Sequence, residues 1–277
     1  MMAAVQSMPS TSRDVIMGAF NGYREELDEY YDRREALTKI SRDITSLSKK
    51  CIFLLHRLVT DPSNKPGHER EVSVNAAKKG YESLGQIKGM FEGISEHLQG
   101  NDFWKFQRTI SPGLQEFIEA YGFAHYLEHN TLLPYAEVQA YLSTDSGQPY
   151  FPLPYSDYLL GISDLTGELM RYAISAITTR GGRARARELC DFVRDCRASF
   201  EAFAPQIRGM DHKQKTTTNS LRKIEDATYA MSIREHEFGA SPDRLDALVS
   251  QYMSGYGQDR GWEGGGRGSR SDEQDEE

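Results

Sequence analysis

Apolar residues recur at three- and four-residue steps along most of this chain, a period that predicts an all-α bundle of about seven helices. From Asp14 to about Leu58, one stripe runs through Phe20, Tyr23, Leu27, Tyr30 or Tyr31, Leu37, Ile40, Ile44 and Leu47, long enough for a single extended helix. Asp61-Pro-Ser-Asn-Lys-Pro-Gly67 breaks it. A second helix is predicted from about His68 to Leu98, with Val72, Ala76, Leu84, Ile87, Phe91, Ile94 and Leu98 as its stripe. Gly100-Asn101-Asp102 ends that element and caps a third holding Phe103, Phe106 and Ile110, which Pro112 is expected to kink or split. A shorter helix is predicted over Asn130–Leu142, and Ser143–Tyr155, with three prolines, is the clearest linker.

The pattern resumes at Asp157, which opens a strong helix through Leu159, Ile162, Leu165, Leu169 and Ala173. Thr178–Gly182 interrupts it. Leu189, Phe192, Val193, Cys196, Phe200 and Phe203 mark another helix, and Lys213 to about Arg234 a further one. Ser241-Pro242 fits an N-cap followed by an N1 proline for a short terminal helix. No segment alternates as a strand would. The chain therefore divides into a loose polar lead (1–13), a helical domain (14–254) and a tail (255–277) whose Gly, Arg and acidic composition predicts disorder.

Composition narrows the function classes. No run of eighteen apolar residues exists, so a transmembrane helix and a membrane partner are not expected. Three cysteines (Cys51, Cys190, Cys196) at uninformative spacing argue against a disulfide framework and for a reducing, intracellular setting; the expected compartment is the cytoplasm, with the nucleus second. Net charge is −8, and half of it lies in the tail's seven acids and three arginines. A mildly acidic body must grip nucleic acid through local patches. Two exist: Arg42, Lys49, Lys50, His56 and Arg57 late in the first helix, and Arg180, Arg183, Arg185, Arg187, Arg194 and Arg197 around the sixth. Arg171 is a further candidate. No Gly-x-Ser-x-Gly elbow and no strand-borne phosphate loop occurs.

The candidate chemistry is acidic. Glu116 and Glu119 lie three apart, hence on one helix face, in a segment from Leu114 to Leu127 that is apolar nearly all round. Buried carboxylates need a cation or protons. Asp164 and Glu168 form a second pair at i,i+4 spacing. Either pair has a plainer reading: the first can meet arginines across a helix interface, and the second shares a helix face with Asp157 and Arg171 as a solvated stripe. Taken together, four carboxylates on two helices suit a hard divalent cation, magnesium or manganese, which orients phosphates and activates water. A di-iron centre is disfavoured, because no histidine stands three residues after any candidate acid.

These residues also carry a resemblance. Lys39-Ile-Ser-Arg-Asp-Ile-Thr45, Ile52-Phe-Leu-Leu-His-Arg57, Gly113-Leu-Gln-Glu-Phe-Ile-Glu-Ala120, Asp157 through Arg171, and Lys223-Ile-Glu-Asp-Ala227 within Leu221–Arg234 resemble the translin family, and within it the branch of translin-associated factor X. The resemblance spans roughly residues 15–250. It implies a seven-helix all-α fold, co-assembly with translin into a hetero-octamer, and a magnesium-dependent endoribonuclease acting on single-stranded or nicked RNA, in removal of small-RNA passenger strands and processing of transfer-RNA leaders. It assigns metal holding and catalysis to Glu116, Glu119, Asp164 and Glu168, all carried by that branch, whereas translin lacks the Glu-x-x-Glu pair and the aspartate. A non-catalytic helical partner that stabilises translin and binds RNA without cutting it is the alternative.

Overall fold

The computed structural model describes residues 12–65, 67–177 and 182–238, with side chains described as far as Ile233. Seven α-helices account for nearly all of them: α1 (Ser12–Val59), α2 (Glu69–Gly93), α3 (Asp102–His129), α4 (Tyr135–Tyr141), α5 (Tyr155–Ile177), α6 (Gly182–Glu201) and α7 (Met210–Phe238). A single 3-10 turn, Ser95–Leu98, follows α2, so the second predicted helix is divided near its end. The one β-type pairing among the described residues is an isolated bridge between Ser143 and Pro149. The terminal helix predicted at Ser241-Pro242 and the tail lie outside the described residues.

The bundle is organised around α3. Helices α1, α2 and α5 pack on it, while α5 also carries α6 and α7 on its far side. Three neighbours explain why α3 is buried almost all round from Gly113 to Leu127, including Phe117, Ile118, Phe123 and Tyr126. Pro112 neither splits nor ends the helix. Its effect is local: the Gly113 N–H turns to Ser41 Oγ on α1 at 3.2 Å, and tertiary packing carries the helix through. A left-handed Asn130 (φ 58°) then terminates α3, its N–H bonded to the Tyr126 carbonyl. The short helix consequently starts only after Pro134, later than the Asn130 expected from the sequence.

Two glycines bring α3 close to its neighbours, α5 and α1. A Cβ on Gly161 of α5 would stand 2.8 Å from the Gln115 carbonyl oxygen and 2.9 Å from Ile118 Cβ on α3. On α3, a Cβ on Gly113 would stand 2.8 Å from the Ser41 carbonyl oxygen of α1. The contacts fix α3 between its neighbours with no slack.

The first helix departs from the expectation of continuous burial. Its first buried residue is Leu37. Before it, Ile16, Phe20, Tyr23 and Leu27 stand in solvent, with Phe20 66% exposed. The helix meets the rest of the bundle where Tyr30 stacks on Phe106 (5.1 Å between centroids) and Arg33 reaches Asp102 at 2.8 Å. The N-terminal half of α1 is therefore an arm projecting from the bundle with its apolar stripe uncovered.

Candidate functional site

The four sequence-predicted acids converge. Glu116 and Glu119 stand on one face of α3, Asp164 and Glu168 on the facing side of α5, and α1 and α7 close the flanks. Glu119 is deepest, with 9% of its surface exposed. Among the described residues no hydrogen bond or ion pair reaches its carboxylate. Burial, and then the charges of Asp164, Glu168 and Glu116, hold its carboxyl well above the ordinary carboxylate range. Burial also raises Glu116 and Asp164, against the pull of Lys49 and Lys213 respectively. The four acids thus act on one another as a single electrostatic group.

The flanking cations come from two helices. Lys49 Nζ on α1 lies 3.2 Å from Glu116 Oε1. Lys213, in the first turn of α7, pairs with Asp164. Thr217, one turn along α7, bonds Thr166 on α5 (3.0 Å between hydroxyls), which holds α7 in register for that lysine. His56 Nε2 lies 2.6 Å from Glu168 Oε2, with its ring against Phe123 at 4.6 Å, and Arg171 reaches the same oxygen at 3.0 Å.

The expected RNA-gripping residues separate into two groups. Arg42, Lys49, Lys50 and Arg57 are exposed on α1. His56 is not: it turns inward and belongs to the acidic site. Arg171 is part of the Glu168 pair. Lys213 was not foreseen; its one signal in the sequence is a lysine opening the stripe that continues through Thr217, Ser220 and Ile224. Asp157 also differs from the solvated-stripe reading. It is buried and accepts hydrogen bonds from Gln115 Nε2 (2.8 Å), Ser111 Oγ (3.1 Å) and Gln107 Nε2 (3.2 Å), a structural carboxylate clamping α5 to α3.

Whether the site suits a divalent cation divides into two questions. In donor chemistry it does: the acids supply hard oxygens, and Glu119 is a buried carboxylate without a cation of its own. In arrangement, Lys49 and Lys213 take Glu116 and Asp164, and no group of three or more His, Cys, Asp or Glu side chains is disposed to hold a metal among the described residues. The cysteines offer no rival chemistry. Burial pushes the Cys51 thiol to about 11 and Cys196 to about 12, so both are inert core residues. No helix of the described residues is long and apolar enough to cross a membrane.

Residues 32–235 match the model of the Translin family. Translin-associated protein X of Rattus norvegicus is 32% identical over 249 residues, which cover 82% of this chain and 82% of that protein. The Translin-associated protein X homolog of Schizosaccharomyces pombe is 27% identical over 223 residues, 78% of this chain and 88% of its own. The solved complex of AfC3PO with duplex RNA shares the fold, with a TM-score of 0.53 at 18% identity over 79% of this chain and 99% of that one.

Proposed function

This chain belongs to the translin family, and from that premise we propose that it is the acid-bearing subunit of a translin-containing hetero-oligomer that hydrolyses phosphodiester bonds in single-stranded or nicked RNA. The observation that carries the reading is the convergence of Glu116, Glu119, Asp164 and Glu168 around the buried, unpaired Glu119. A buried carboxylate with no cation of its own needs either a proton or a bound cation. Here the lysines pair the outer acids and the deepest one stays without a partner.

Two similarities support the rest of the reading. Curated relatives are named as translin-associated proteins or as translin, and the AfC3PO complex holds duplex RNA. The uncovered stripe on the arm of α1 adds a physical argument for a partner, since a contiguous apolar surface of that kind marks an interaction site.

Magnesium, when bound by Glu116, Glu119, Asp164 and Glu168, would polarise the scissile phosphate and lower the pKa of a water molecule. The chain's own groups supply the rest. Glu119, whose raised carboxyl holds a proton until a cation displaces it, keeps the deepest point of the site neutral before the ion binds. Lys49 and Lys213 offset phosphate charge beside the acids they now hold. His56 and Arg171 fix Glu168 from two sides.

The lysine-paired arrangement favours one competing reading, a non-catalytic partner whose acids serve structure alone. Cleavage of labelled single-stranded RNA by the chain co-purified with translin, with magnesium and with EDTA, separates the two. Cutting that requires magnesium and falls to background in Glu119→Ala supports the nuclease. An assembled complex that cuts nothing, or a Glu119→Ala variant that cuts as well, overturns it.

A further inference from the structure

Phe53 is 69% exposed on α1, an apolar ring held in solvent. A lone exposed hydrophobic residue is ordinary; the position of this one is not. At about 100° per residue it falls roughly 40° round the helix from Lys49 and roughly 60° from His56. Those two residues reach Glu116 and Glu168, so Phe53 stands on the edge of α1 that borders the acidic site. The buried seam of α1, with Cys51 and Leu55, lies on the opposite side. Lys49 precedes Phe53 by one turn and Arg57 follows it by one turn, each about 6 Å of rise away. Arg42, also exposed, lies two turns before Lys49 on the same ridge.

The other strongly exposed aromatics among the described residues lack this setting. Trp104 stands at the start of α3, Tyr155 stacks on Tyr135 at 4.6 Å, Tyr229 lies late on α7, and Phe20, Tyr23 and Tyr31 belong to the arm. Phe53 alone of these shares its helix edge with a row of cations and with the two residues, Lys49 and His56, that reach the site acids.

An aromatic face between cations is how proteins hold single-stranded nucleic acid: bases stack on the ring, and the adjoining phosphates meet the positive side chains. We propose that Phe53 is a stacking platform that seats one base of single-stranded RNA at the rim of the acidic site, with Arg42, Lys49 and Arg57 along its backbone. The assignment rests on the RNA reading above but not on cleavage. Phe53 positions the strand; it takes no part in bond breaking. Stacking of this kind tolerates any base but requires an unpaired one, whose faces are free. It therefore gives the site a structural reason to prefer single strands over duplex.

The test uses the full chain assembled with translin, in EDTA so that no strand is cut, and a single-stranded RNA carrying 2-aminopurine. Phe53→Ala should weaken binding by about 5- to 150-fold, the range for loss of one stacked base, and should relieve part of the 2-aminopurine quenching. Phe53→Trp should keep the affinity, and its indole emission should fall as RNA is added. In magnesium, an active complex should show the Ala loss in KM with kcat little changed. Unchanged affinity and quenching in Phe53→Ala would overturn the platform. So would loss of co-assembly on size exclusion, which would make Phe53 a partner contact. Wild-type complex that binds no RNA would sink this proposal and the RNA reading together. Wild-type complex that binds, is weakened by Phe53→Ala and never cuts would sink the nuclease alone.

Discussion

His56 Nε2 on the first helix and Glu168 Oε2 on the fifth stand 2.6 Å apart, joining two residues that are separated by 112 positions in the chain. The imidazole N–H is assigned as the donor because an ionised carboxylate only accepts. His56→Ala should remove this bond and the packing on Phe123, lowering stability by about 1–3 kcal/mol and RNA cleavage with it. Urea unfolding of the assembled protein and a cleavage assay check both, and His56→Gln, which can still donate, should recover part of each loss.

Glu119 should make stability fall as pH rises. Its carboxyl is raised in the folded state, so as pH climbs past the ordinary glutamate value the unfolded chain releases this proton while the folded chain keeps it. The unfolded state then binds fewer protons, and stability declines until pH exceeds the folded value. Glu119→Gln should remove that slope, leaving the variant more stable than wild type at neutral pH in EDTA yet inactive. Thermal unfolding across pH 4–8 reads the slope; a stability difference between wild type and Glu119→Gln that stays constant through this interval would contradict it.

Magnesium should compete with protons at the same acids. Burial raises Glu116, Glu119 and Asp164, so a bound cation must displace their protons, and its affinity should increase with pH above the usual carboxylate range. Calorimetric titration in buffers of different ionisation enthalpy should show proton release. At a hundredfold excess over Kd, the ion should add about 2.7 kcal/mol of stability. Lys213→Met should tighten binding by freeing Asp164.

Gly161→Ala should disturb the site without touching its charges. The new methyl would meet the Gln115 carbonyl oxygen at 2.8 Å and Ile118 Cβ at 2.9 Å, contacts that only movement of α5 away from α3 can relieve. A loss of about 1–3 kcal/mol is expected, with weaker magnesium binding as the two acid pairs separate. Gly167→Ala on the same helix, where a methyl meets nothing, is the control and should be neutral or stabilising.

Much of this was legible in the sequence, for identifiable reasons. Glu116 and Glu119 were visible because they interrupt a helix otherwise apolar nearly all round, and the depth of Glu119 follows from that contrast. Asp164 and Glu168 shared a polar stripe, and only the packing of α5 on α3 brings them to the site. Asp157 was misplaced for the complementary reason. It shares a helical face with Asp164 and Glu168, and only the arrival of Gln107, Ser111 and Gln115 from α3 separates a structural acid from the others. Pro112 and Asn130 show the same limit: propensity marks both as breaks, but three packed neighbours carry α3 through the first while a left-handed backbone at the second stops it. Beyond its place at the head of the α7 stripe, the role of Lys213 had no local signature, since its partner lies 49 positions away.

The arm of α1 bears on how quickly assembly can proceed. Starting a helix is the unfavourable step, by a factor on the order of a thousand, whereas extending one is nearly free. In α1 the buried half from Leu37 onward supplies the start, and the solvent-facing half before it only extends what already exists. An incoming subunit thus meets a surface wound in advance and need not order it on contact. Encounter would be limited by diffusion and alignment, and a scaffold built for stability would double as the means of recognition.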